Sequence, residues 1–72
     1  MRLKIRLDTI SDANRFAQIA SGIDGRVVIT DGSGLCFNGK SVLGALHALE
    51  FNELWCESDK EIYGLIRDFV VE

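Results

Sequence analysis

The chain holds one histidine, His47, and two cysteines, Cys36 and Cys56, with no C-x-x-C spacing, so it has too few soft ligands for a zinc site and no metal is expected. No apolar run approaches the roughly 20 residues of a membrane span. Linkers, internal repeats and low-complexity tracts are also missing, and no basic stripe is present: 8 Lys and Arg are scattered among 11 Asp and Glu, for a net charge of -3. Nucleic acid is therefore a poor partner. Residues 1–7 alternate charge with apolar side chains, which suits a strand and not a signal peptide, so a cytoplasmic location and no membrane contact are expected.

What remains is globular in character. The 72 residues are 47% hydrophobic and 26% charged, far from the composition of a disordered chain, and they allow one core and one domain spanning residues 1–72. Both cysteines sit inside apolar runs and are expected to be buried, reduced thiols.

Periodicity assigns the elements. Leu3, Ile5 and Leu7 alternate with Arg2, Lys4 and Arg6, the pattern of a strand with one buried face. Ser11 is a candidate N-cap for a helix with its stripe at Phe16, Ile19, Ala20 and Ile23, stopped by Gly22. Residues 26–30 and 35–37, separated by Asp31-Gly32-Ser33-Gly34, read as a hairpin. Ser41 opens a second helix whose spacing marks Val42, Ala45, Leu46 and Leu49, with Leu43 apolar off that stripe. Residues 53–57 alternate as a fourth strand, with Trp55 expected in the core or at a sheet edge. Ser58 and Glu61 have the form of a capping box before a stripe at Ile62, Leu65, Ile66, Phe69 and Val70. The order β-α-β-β-α-β-α contains no parallel repeat. It predicts an α+β fold, an open-faced sandwich of a four-stranded antiparallel sheet with its helices on one face.

Residues 34–41, Gly-Leu-Cys-Phe-Asn-Gly-Lys-Ser, match the phosphate-loop pattern G-x-x-x-x-G-K-[ST]. The match is accidental in character. Leu35, Cys36 and Phe37 belong in a strand ladder that occupies their amides, and the strand ending in Asp31 precedes the loop where a metal-holding strand should follow it. No cofactor is expected. His47 lies in mid-helix with only Glu50 as an acidic neighbour at helical spacing, and reads as a solvated surface residue. Ser41 stands where a helix opens, a place that tolerates added phosphate.

Asn38-Gly39-Lys40-Ser41-Val42-Leu43-Gly44 resembles the segment around the regulatory serine of HPr, the small histidine-containing phosphocarrier of the bacterial sugar phosphotransferase system. Residues 19–29 resemble the end of that family's first helix and its second strand, and the family shares the element order. The resemblance implies that Ser41 is a regulatory phosphorylation position. It also implies that Lys40, Val42, Leu43, Leu46 and His47 form a partner-binding surface on the second helix. The departure is at the first helix, where the family carries its phosphoryl group on a histidine within a Gly-[Ile/Leu]-His-[Ala]-Arg-Pro pattern. Here the stretch is Asp8-Thr9-Ile10-Ser11-Asp12-Ala13, without His, Arg or Pro and with two carboxylates that repel phosphate. Phosphocarrier activity is therefore expected to be absent. The chain is expected to be a non-catalytic regulatory or adaptor protein that binds a protein partner through its second helix. The alternative is a structural or oligomerisation domain that forms a homodimer through the same helix.

Overall fold

A computed structural model describes residues 1–71. Four strands, β1 (Arg2–Ile5), β2 (Val27–Thr30), β3 (Cys36–Asn38) and β4 (Leu54–Ser58), form an antiparallel sheet in the order β1-β4-β2-β3. The helices are α1 (Ile10–Ser21), α2 (Val42–His47) and α3 (Tyr63–Ile66), with 3-10 turns at Ala48–Glu50 and Arg67–Phe69. The arrangement is α+β and fits an open-faced sandwich.

The register explains why one sheet face is dry. Cys56 lies between Leu3 on β1 and Ile29 on β2, and Ile5 pairs with Leu54. Side chains alternate along a strand, so Ile5, Val27, Ile29, Leu54 and Cys56 share the inner face. They join Ala13, Phe16, Ala17 and Ala20 of α1, Ala45 of α2, and Ile62, Ile66 and Phe69 near the C-terminus in one buried cluster. The Phe16 and Phe69 rings meet edge to face at 5.6 Å. The outer face carries Arg2, Lys4, Trp55, Glu57 and Val28.

Several local expectations change. The N-cap of α1 is Thr9 and not Ser11: the Thr9 hydroxyl accepts the Asp12 N–H at 3.1 Å, while Asp12 accepts the Asp8 N–H at 3.0 Å. These two bonds satisfy the amides of Asp12 and Asp8 and start the helix earlier. The proposed box at Ser58 and Glu61 does not form. Ser58 ends β4 and its hydroxyl accepts the Lys60 N–H, while Glu61 accepts the Tyr63 N–H. α3 consequently lasts four residues, and Leu65 is 59% exposed instead of lying on a buried stripe. Beyond the 3-10 turn the β-branched Val70 turns extended and bridges to Ile5, gaining backbone hydrogen bonds along β1 that further helix would forgo.

The two thiols part company. Cys56 is buried, but Cys36 is exposed on the short edge strand β3, contrary to its apolar sequence surroundings. Burial, with a smaller contribution from Glu57, pushes the Cys56 thiol up to about 11 from its ordinary 9.0. The unfolded chain releases this proton at lower pH than the folded chain, so the contribution to stability is complete below pH 9 and is lost as pH rises toward 11. Thermal melts of the native chain and Cys56→Ala should show this: the native melting temperature falls more steeply through that window than the variant's. Equal slopes would remove Cys56 as the cause.

Candidate functional site

The loop from β3 into α2 begins with an Asx turn. Asn38 Oδ1 accepts the Lys40 N–H at 2.9 Å, and the Asn38 carbonyl accepts the Ser41 N–H at 3.2 Å. Ser41 is extended, and its hydroxyl accepts the Gly44 N–H at 3.3 Å, making it the N-cap of α2 as its position suggests. The Gly39 N–H goes to the Val27 carbonyl at 2.8 Å, and the Lys40 ammonium to the Ile23 carbonyl at 2.6 Å. Every amide from residue 39 to 41 and the lysine itself are thus engaged within the chain. The phosphate-loop pattern of residues 34–41 describes a strand end and a helix cap, not an anion cradle.

α2 packs through small residues. Gly44, Ala45 and Ala48 are buried, and a Cβ on Gly44 would stand 2.6 Å from the Asn38 carbonyl oxygen. Only glycine permits that approach. The stripe expected at Val42, Ala45, Leu46 and Leu49 holds at Ala45, which is buried, and in part at Leu46 and Leu49, which are half-buried against the core, but not at Val42, which is 43% exposed; Leu43, off the stripe, is 66% exposed. The close approach at Gly44 leaves Val42 and Leu43 outside, while Leu46 and Leu49 reach the core in part. Leu43, Leu46, His47 and Glu50 line a shallow depression on this surface.

The structure brings Val42, Leu43, Leu46 and His47 together on α2 next to Ser41. Lys40 adjoins them in sequence but turns its charge to the end of α1. His47 is exposed, yet its ring lies flat on Phe37, with centroids 5.1 Å apart and planes within 8°, and Phe37 in turn meets Phe51 at 5.7 Å. This contact spans two elements and has no signal in helical spacing, so His47 is a stacked residue rather than a fully solvated one.

At the amino end of α1, the Thr9 hydroxyl occupies the Asp12 amide, the Asp12 carboxylate takes the amide of Asp8 just before the helix, and Arg6 pairs with Asp8 at 2.9 Å. The sequence contains no histidine there, and the Thr9 hydroxyl and the Asp12 carboxylate complete the cap. Trp55 lies on the outer sheet face of an interior strand, its ring covered by the Arg2 guanidinium at 4.3 Å. Arg2 also pairs with Glu57 at 3.3 Å. Among the described residues no group of three His, Cys, Asp or Glu could hold a metal ion, and no helix is long and apolar enough to cross a membrane.

No protein-family model, curated protein or solved structure matches the chain.

The cap makes a direct prediction. Ser41→Ala should lower stability by about 1 kcal/mol, while Ser41→Asp, which can still accept the Gly44 N–H, should retain most of it. Urea titrations of the three proteins measure this, and an unchanged midpoint for Ser41→Ala would mean that the hydrogen bond contributes nothing.

Proposed function

We propose that the chain is a non-catalytic, HPr-like regulatory or adaptor protein of the cytoplasm that binds a protein partner through α2. Val42, Leu43, Leu46 and His47 form the contact, and Ser41 is the position at which phosphorylation alters it. The observation that carries this reading is the exposure of Val42 and Leu43 beside Leu46 and His47. Adjacent exposed aliphatics on a short, well-anchored helix offer a partner apolar area that costs little ordering.

Support for the switch comes from Ser41 itself. The residue is half-exposed at the border of the apolar surface, so a phosphate there places up to two negative charges beside Val42 and Leu43. An apolar partner surface would lose affinity, whereas one bearing arginine would gain it. Support for a role without phosphoryl transfer comes from α1, whose amino end is capped by carboxylate and hydroxyl oxygens and bordered by Asp8.

Incubation with an HPr-serine kinase and ATP, followed by intact-mass analysis, tests the reading. The native chain should gain one phosphate, mapped to Ser41 and absent from Ser41→Ala. Leu43→Asp, at a mostly exposed position, should keep the native circular dichroism spectrum while phosphorylation slows by about tenfold, the effect of losing ~1.4 kcal/mol of docking energy. No phosphate on Ser41 would confine the function to constitutive binding, and an unchanged rate in Leu43→Asp would remove the aliphatics from the contact with this kinase.

A further inference from the structure

Glycine follows an acidic or carboxamide side chain at three places, Asp24-Gly25, Asp31-Gly32 and Asn38-Gly39. A glycine has no Cβ to shield its amide nitrogen, so that nitrogen can attack the carboxamide of a preceding asparagine and close a cyclic imide. Asn38-Gly39 is the pair that carries an amide to lose, and it stands at the junction of β3 and α2.

The folded chain holds this pair shut from both sides. Asn38 is exposed to water, but Gly39 is buried and its N–H donates to the Val27 carbonyl at 2.8 Å. An amide nitrogen attacks only after losing its proton, and this proton is committed to a main-chain carbonyl away from solvent. The carboxamide is committed as well: Asn38 Oδ1 accepts the Lys40 N–H at 2.9 Å, which aims the side chain at residue 40. The Lys40 ammonium donates to the Ile23 carbonyl at 2.6 Å and fixes the far side of the turn. A Cβ on Gly39 would lie 2.8 Å from Val27 Cγ1 and 3.4 Å from Phe16 Cε1, so the main chain at residue 39 is wedged against the core.

We propose that Asn38 is a modification site, silent in the folded chain and converted to isoaspartate when the junction of β3 and α2 opens. The freed Gly39 nitrogen gives up its proton and bonds to Asn38 Cγ. The Cγ–Nδ2 bond breaks, and ammonia leaves carrying that proton. Water then opens the imide, returning a hydrogen to the Gly39 nitrogen and leaving a carboxylic acid. Opening at Cγ gives aspartate. Opening at the main-chain carbonyl gives isoaspartate, in which the chain runs through Cγ and the former carbonyl becomes a free carboxylate.

The two products differ in what they do to α2. The Asn38 carbonyl oxygen is the atom on which the helix is seated: it accepts the Ser41 N–H at 3.2 Å, and a Cβ on Gly44 would stand 2.6 Å from it. Aspartate keeps this carbonyl in place and still offers a side-chain oxygen to the Lys40 N–H. Isoaspartate takes the carbonyl off the main chain, charges it and lengthens the chain by one carbon. α2 then loses its seat, and Val42, Leu43, Leu46 and His47 are displaced with it. The site follows from the geometry of the junction and holds whether or not those residues bind a partner.

Incubation of the native chain in mildly alkaline buffer, with and without denaturing urea, tests the proposal. After digestion, a gain of about 1 Da on the peptide containing residue 38 marks loss of the amide. Isoaspartyl methyltransferase with labelled S-adenosylmethionine measures the isoaspartate. Conversion of the folded chain should be slower than in urea by at least about a hundredfold, because only its open fraction reacts. The isoaspartyl chain, purified and returned to native buffer, should show weaker helical circular dichroism and a lower urea midpoint than Asn38→Asp, which should stay close to native. Equal rates with and without urea would overturn the proposal, and so would an isoaspartyl chain as stable as Asn38→Asp.

Discussion

β4 is the strand to which the rest of the molecule is referred. It pairs with β1 on one side and β2 on the other, and its strict alternation sends Leu54, Cys56 and Ser58 inward and Trp55 and Glu57 outward. A slip of one residue would carry Glu57 into the core and expose Cys56, a cost no neighbouring group could offset. Because β1 and β2 are both registered on this strand, their own faces are set by it. The helices then have one apolar surface on which to settle.

How closely each helix settles depends on side-chain size. α1 presents Phe16 with Ala13, Ala17 and Ala20, a large ring seated among small residues, all of them fully buried. α2 approaches the end of β3 at Gly44, where a Cβ would stand 2.6 Å from the Asn38 carbonyl oxygen, and Ala45 and Ala48 are buried beside it. That closeness is what leaves Val42 and Leu43 without a place in the core. The exposed aliphatic surface follows from packing at the opposite side of the same helix, and Ser41 borders it because the hydroxyl that caps α2 must stand immediately before it.

The ends of the sheet follow a related logic. Val70 and Val71 give up helical continuation to satisfy β1, and the chain closes that edge with its own backbone. β3 receives no such cover, since the chain leaves it at once through the Asx turn at Asn38 to form α2. Cys36 is left in the open by this asymmetry, although it is flanked by apolar neighbours in the same way as the buried Cys56.

Element types and the inner faces of the strands could be read from the amino acids because both depend on local periodicity: alternation in β1 and β4, and the i, i+3, i+4 stripe of α1. Ser41 was recognisable as a cap for the same reason. The positions that depended on neighbours distant in sequence were not. Ser58 does not open a helix because it ends β4, whereas the shift of the α1 cap from Ser11 to Thr9 is local, set by bonds among Asp8, Thr9 and Asp12. His47 finds Phe37, Leu65 stays outside, and Cys36 lies on an uncovered edge. A residue's own segment sets which way it points relative to its neighbours in the chain, but burial requires a second surface, and the tertiary fold alone supplies that surface.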